Sequence, residues 1–330
     1  MAEHTMKFGF TLSNRGVLYG VNTAQDMLEL AEIADRSGLF QSVWVGDSLF
    51  GKPRMDSIAL LCGVAARTKR VRLGPACMAS FPLREPIQLA YQWASLDLLA
   101  EGRSILVACN GLVEQSGADV EARTYRVTPA DRVGRVTEGM QVLARLWTED
   151  NVTFQGKHYQ FEGITIEPKP AAKPRPPILL AVHARRSPEL IRRTHVRVVK
   201  YTDGWQTASG NVEEVASRWR DILAIADEHG RDRATLQNSV YHNFNINEDL
   251  EAAIEESRRF LEIYYEPMKF PRESLTGESS WVATGPPSKV IEQIRRWKAT
   301  GAIDELALRA TSWDQRGQLK RLMEEVLPHV

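Results

Sequence analysis

Short apolar runs alternate along the chain with segments whose apolar positions recur every three or four residues. KFGFTLS (residues 7–13) is the first run, and TAQDMLELAEIADRSG (23–38) follows it as an amphipathic helix. Thr23 can cap that helix with Asp26 three residues on, and Gly38 can close it. SVWVGD (42–47) reads as a second buried strand, with a helix over 56–68 behind it. VRLGPAC (71–77) is the third, and Pro86 opens PIQLAYQWASLDLLAEG at the first helical position. SILVACNG (104–111) is the fourth. The helix after it carries an apolar stripe of Val133, Val136, Met140, Leu143 and Trp147.

The segment 151–177, NVTFQGKHYQFEGITIEPKPAAKPRPP, has the spacing of a small hairpin followed by a proline-rich connector. Alternation then resumes with ILLAVH (178–183), a helix from Ser187, DGWQT (203–207), a helix over 211–229 and LQNSVYHNFNI (236–246). SKVIEQIRRWKATG, capped by Ser288 and closed by Gly301, leads into ELALRAT (305–311) and a last helix. Eight near-continuous apolar strands, each with a helix behind it, imply a parallel sheet covered on both faces. That many units in 330 residues fit an α/β fold of the closed (β/α)8 TIM-barrel type. The rival is an open doubly wound sheet, but no two of the 22 glycines stand two apart, so the dinucleotide fingerprint is missing.

A barrel of this kind works at the carboxyl ends of its strands. The polar residues there are Thr11 and Ser13, Asp47 and Ser48, Ala76 and Cys77, Asn110, and His183 with Arg185 and Arg186. Further on come Asp203 and Trp205, then Tyr241, His242 and Asn243, and finally Arg309. Asp47 and Asp203 can equally cap turns, and Trp44 and Trp205 read as core, with pocket lining as the alternative. Arg185 and Arg186, just before a helix opening at Ser187, make either an anion site or a solvated loop. Arg132 is either a phosphate ligand or half of a surface pair with Asp131 or Glu138. In VWVGDSLFGKPR, Gly46, Gly51 and Lys52 match a triphosphate-binding loop except at Pro53, which supplies neither the magnesium-binding hydroxyl nor an amide donor. That segment therefore reads as a chance near-match.

Composition narrows the classes. Lys plus Arg equals Asp plus Glu at 42 each, so there is no overall pull toward nucleic acid or an anionic membrane. Hydrophobic residues at 43% and charged residues at 25% fit a folded enzyme. MAEHTMKFGF has no signal-peptide core and no apolar run reaches about 18 residues, which predicts a cytoplasmic protein. Cys62, Cys77 and Cys109 are widely separated and read as reduced core thiols. His183 and His242 lack partners at ligand spacing, so no metal is expected.

Taken in order, SVWVGDSLFGKPRMDSIALLCGVAARTKRVRLGPA, PLREPIQLAYQWASLDLLAEGRSILVACNG, TPADRVGRVTEGMQVLARLWTED, VTFQGKHYQFEGITIEPKP, the pair SPELIRR and TDGW, and TGPPSKVIEQIRRWKATGAIDELALR resemble the successive blocks of the luciferase-like flavin-dependent monooxygenase family. The resemblance covers nearly the whole chain. It implies one TIM-barrel domain over 6–330, with 150–177 as a loop insertion between helix 4 and strand 5 and a helical insertion after strand 7. It implies a reduced flavin or deazaflavin across the carboxyl mouth, beside a non-proline cis peptide at Ala76–Cys77 and lined by Thr11. The cofactor phosphate would be held by Asn110, Arg132, Val182, His183, Arg185, Arg186 and Ser187.

Three departures stand out. Ser48 occupies a position where many relatives carry an acid/base histidine, Asn110 stands where some relatives have arginine, and Ala181 and Val182 replace a glycine pair that many have. The leading expectation is a two-component monooxygenase in which a separate flavin reductase supplies reduced FMN. Oxygen would then be transferred to a small organic substrate, with Asp47, Ser48 and His183 as candidate catalytic groups. The alternatives are a hydride-transferring oxidoreductase using the deazaflavin coenzyme F420 and a flavin-binding protein without turnover. Segment 246–281 is either a lid or packing helices, and a homodimer or higher oligomer is expected.

Overall fold

Thr23 and Asp26 close a reciprocal capping box, in which Thr23 Oγ1 accepts from the Asp26 amide at 3.1 Å and the Asp26 carboxylate accepts from the Thr23 amide at 2.8 Å. Similar punctuation recurs through the computed structural model, which describes residues 5–111, 117–182, 187–277 and 279–330. The first half runs β1 (Lys7–Leu12), α1 (Ala24–Ser37), β2 (Ser42–Asp47), α2 (Ser57–Arg67), β3 (Arg72–Met78), α3 (Pro86–Leu99), β4 (Leu106–Ala108), α4 (Ala118–Tyr125) and α5 (Pro129–Thr148). The hairpin β5 (Val152–Gln155) and β6 (Gln160–Ile164) follows. Then come β7 (Ile178–Ala181), α6 (Pro188–Tyr201), β8 (Gly204–Ala208), α7 (Val212–Glu228), β9 (Gln237–Ile246) and α8 (Leu250–Tyr264). The chain closes with β10 (Val282–Gly285), α9 (Pro287–Ala299), β11 (Glu305–Ala310) and α10 (Gln315–Arg321).

Strands β1, β2, β3, β4, β7, β8, β9 and β11 pair side by side in parallel and close on themselves, giving the expected TIM barrel. β10 was not expected. It exists because β9 is ten residues long and outruns β8, so that Val282–Gly285 pairs with Asn243 to Ile246 of β9.

Strand alternation builds two cores. Outward residues such as Phe10, Leu12, Val43 and Val45 pack under the helices, while Trp44, Ile105, Val107, Leu179 and Ala307 fill the barrel interior. Gly9 is needed on the inner face, because a Cβ there would stand 2.5 Å from Ser42 Oγ and 2.7 Å from Trp44 Nε1.

Three local expectations are corrected. Val133 is 39% exposed, so the buried stripe of α5 is Val136, Met140, Leu143 and Trp147. Helix α9 starts at Pro287 with Pro286 as its N-cap, not at a Ser288 cap, since proline is pre-organised for the first helical position. β8 starts at Gly204, which leaves Asp203 at the amino end of the barrel, where it accepts from the Ile178 amide and pairs with Arg175 at 2.6 Å. Trp205 is core, stacked on Trp219 at 6.4 Å.

Candidate active site

The carboxyl mouth begins with a non-proline cis peptide between Ala76 and Cys77, where the resemblance implies one. Beside it, Cys77 Sγ lies 2.7 Å from Cys109 Sγ, although 32 residues separate the two in sequence. The contact with Cys77, together with burial, pushes the Cys109 thiol well up from its usual range.

Asp47 ends β2 and is committed on both oxygens. Oδ1 accepts from Ser57 Oγ at 2.7 Å, Oδ2 accepts from the Ser80 amide at 2.7 Å, and Arg84 stands 3.5 Å away. Those contacts tie β2 to the loop directly after β3, the strand whose end carries the cis peptide. Ser48 Oγ accepts from the Lys52 amide at 3.0 Å and curls the loop back on itself. The curl turns Lys52 inward. Its side chain is 5% exposed, and Nζ sits 4.4 Å from the centre of the Tyr265 ring. Burial, reinforced by the charges of Arg54, Arg15 and Arg309, pulls the Lys52 amine down to about 7.

Gly46 serves a neighbour. Its amide donates to Asn14 Oδ1 at 3.0 Å and its carbonyl accepts from Asn14 Nδ2 at 2.8 Å, which straps β1 to β2. A Cβ at this position would fall 2.0 Å from Arg54 Nη1, so the missing side chain leaves space that the guanidinium fills.

Arg132, near the start of α5, is 2% exposed and pairs with Glu121 of α4 at 3.1 Å rather than with Asp131 or Glu138. It also donates to the Asn110 carbonyl at 3.3 Å, while Glu121 Oε1 accepts from the Gly51 amide at 3.0 Å. The Arg132 charge is therefore already answered. Asp131 caps α5 with Thr128, and Glu138 accepts from the amides of residues 157–159.

Several buried polar atoms at this mouth have no protein partner: Thr11 Oγ1, Asn110 Oδ1, Gln206 Nε2 and Arg132 Nε. Such atoms are costly in a core and suit a site that receives hydrogen bonds from a ligand. Val182 donates its amide to the Gln206 carbonyl at 3.0 Å, and Ser187 caps α6 from an exposed position. His183, Arg185 and Arg186 lie outside the described residues. On β9, Tyr241 and Asn243 face Arg309, with Asn243 Oδ1 accepting from Arg309 Nε at 3.1 Å. His242 points the other way, against Trp297 of α9 at 5.5 Å. Burial pulls its imidazole down to about 4.

The segment 246–281 reaches this mouth through the end of α8. Arg15 donates to the Tyr264 carbonyl, and Lys52, Arg54 and Arg309 all lie over the Tyr264 or Tyr265 rings. Sequence reasoning missed Gln206, which lies inside the run 203–207 but whose unpartnered amide is evident only in the closed barrel. It also missed Arg15, Lys52 and Arg54 as one group, although each follows the carboxyl end of a barrel strand. Among the described residues, no three His, Cys, Asp or Glu side chains cluster as a metal site, and no helix is long and apolar enough to cross a membrane.

The F420-dependent glucose-6-phosphate dehydrogenase of Amycolatopsis mediterranei is 25% identical over 92% of this chain and 94% of its own length. The enzyme of the same name from Intrasporangium calvum is 26% identical over 82% and 83%. In fold, the chain is similar to the monooxygenase RslO1 of Streptomyces bottropensis, with a TM-score of 0.77 at 21% identity over 98% of this chain and 99% of that one. An F420-dependent secondary alcohol dehydrogenase in complex with an F420–acetone adduct gives a TM-score of 0.77 at 18% identity, with 98% of each chain covered. A family model for luciferase-like monooxygenases matches residues 6–304. A barrel of this topology, matched over nearly its whole length, places the chain in the luciferase-like monooxygenase family.

Proposed function

We propose that this chain is an oxidoreductase that uses the deazaflavin coenzyme F420 to oxidise or reduce a small organic substrate. The observation that carries this reading is the similarity, along nearly the full length of both chains, to relatives named as F420-dependent dehydrogenases. The orphaned polar atoms at the carboxyl mouth support it, because a heteroaromatic ring with carbonyl and N–H edges would satisfy them.

In this reading Thr11, Asn110 and Gln206 hold the polar edges of the cofactor, and the Ala76 to Cys77 backbone backs its ring. F420, when bound, supplies two-electron hydride transfer. Arg132, neutralised by Glu121, positions the Asn110 backbone more than it adds net charge. Val182 and Ser187 flank the phosphate, with His183, Arg185 and Arg186 as the further candidates. Asp47 acts as a positioning residue, since both its oxygens are engaged. Ser48 accepts from the Lys52 amide and keeps its own O–H for the substrate. Tyr264 and Tyr265 cover the mouth and exclude water.

A second reading, an FMN monooxygenase fed by a separate reductase, draws support from the family's description and from the fold likeness to RslO1. Fluorescence titration separates the two. Micromolar binding of F420, with no oxygen uptake when the reduced complex meets air, is the expected result. Tight binding of reduced FMN alone, with oxygen consumed, would overturn the F420 reading.

A further inference from the structure

Four cations converge at the carboxyl mouth from three separate places in the chain. Arg15 follows β1, Lys52 and Arg54 lie in the loop after β2, and Arg309 stands on β11. Arg309 lies 4.2 Å from the Tyr264 ring centre and 5.1 Å from that of Tyr265, and Arg54 lies 5.6 Å from Tyr264. Among the described residues, none of the four has a carboxylate within ion-pair distance. The charges that act on Lys52 are those of Arg54, Arg15 and Arg309, all of its own sign.

The burial is deep. Arg309 is 1% exposed, Lys52 5% and Arg15 6%. Arg309 Nη2 and Arg15 Nε have no hydrogen-bond partner. Taking a charge out of water costs several kcal/mol unless an opposite charge answers it, and ring faces answer only a part. Gathering four like charges raises that cost further. Asn14, Gly46 and Ser13 make separate links between these strand ends.

We infer that this cluster anchors an organic anion, so that the substrate of the oxidoreductase carries a carboxylate or a phosphate group held by Arg309 and Lys52, with Arg15 and Arg54 walling the pocket. The inference rests on reading the same mouth as the redox site. It assigns the anion to the substrate, not the cofactor, because the cluster sits at β11, β1 and β2. The candidate cofactor-phosphate residues Asn110, Val182 and Ser187 stand across the barrel, after β4 and β7. Two sources share this chemistry, carboxylic acids and phosphate monoesters.

The test is calorimetric titration of acetate and of inorganic phosphate, in low-salt buffer, into the protein with and without saturating F420. Saturable binding of either anion to the F420-loaded protein supports the inference. Phosphate alone points to a phosphate monoester, and acetate alone to a carboxylate. Arg309→Met and Lys52→Met should each weaken that binding at least about tenfold while F420 affinity stays within about twofold. Two variants guard against one failing to fold.

Binding of neither anion, binding untouched by both variants, or displacement of the anion by F420 would overturn the assignment. If F420 fails to bind while the anion does, the cofactor reading falls and the anion site stands. Sulfate, whose charge is constant across the range, gives a second readout. Its affinity should fall as pH rises through about 7, where Lys52, faced by Arg54, Arg15, Arg309 and Tyr265, loses its proton, and the slope should vanish in Lys52→Met.

Discussion

The two mouths of the barrel treat buried charge in opposite ways. At the amino mouth, a cavity of about 380 Å³ is lined by Trp44, Arg72, Gln237 and Glu305 among others. Its charges are of opposite sign, Arg72 and Glu305 acting on each other, and each is hydrogen-bonded. Glu305 accepts from Trp44 Nε1 at 2.7 Å and from Ser239 Oγ at 3.3 Å, and Arg72 donates to Gln237 at 2.9 Å. Burial still pushes the Glu305 carboxyl up. At the carboxyl mouth Arg15, Lys52, Arg54 and Arg309 stand over rings, with no carboxylate in ion-pair distance among the described residues. The contrast teaches that hollowness is a poor guide to function here. A cavity whose polar groups satisfy one another is architecture, whereas charge left unmatched at an energetic cost marks where something binds.

The comparison can be broken most sharply at Glu121, an acid that does answer a buried cation near the carboxyl mouth. Glu121→Ala leaves Arg132 buried and unpaired, and should lower the unfolding free energy by about 3–5 kcal/mol in urea titrations. A loss under about 1 kcal/mol would mean that Arg132 is solvated in solution.

His242 tests a buried group that avoids charge altogether. Its folded-state value of about 4 lies below the ordinary 6.5, so between those values the unfolded chain binds the extra proton. Stability should therefore fall as pH drops from 6.5 to 4, by up to about 3 kcal/mol from this residue. His195, also pulled down to about 4 by burial, adds in the same direction. His242→Gln should flatten the slope by about half, as read from melting curves across that range.

Arg309→Met should do the reverse of Glu121→Ala. Turnover or anion affinity should drop tenfold to a hundredfold, roughly 1.5–3 kcal/mol, with stability unchanged or improved because an unmatched charge has gone. A variant that instead unfolds in less urea would make Arg309 a structural residue. Smallest of all should be Glu305→Gln, which keeps an acceptor for Trp44. It should shift stability by under about 1 kcal/mol and leave ligand binding alone.

Much of the barrel could be read from local pattern. The strand SVWVGD, the Thr23 capping box and Pro86 at the first turn of α3 depend on residues close in sequence, and each stands where the pattern puts it. What failed depended on distance or on single-residue registers. β10 needs the overhang of β9 to pair with, which no local run announces. Asp203 precedes β8 and so belongs to the amino mouth, and Gln206 shows its unpartnered amide only once the barrel is closed. Lys52 looked like part of a failed phosphate loop, because its meaning comes from Arg15, Arg309 and Tyr265, brought to it only by barrel closure. Ser48, which stands where many relatives carry a histidine, shapes the loop that aims Lys52.

Gly46 carries a consequence of a different kind. The volume that its absent side chain vacates is filled by the Arg54 guanidinium, so the residue works as a socket that seats one wall of the inferred anion site. A single methyl group at this position would evict the guanidinium from that seat without altering any charge. For anyone retuning which molecules this barrel admits, the setting to turn is a strand residue with no side-chain chemistry of its own.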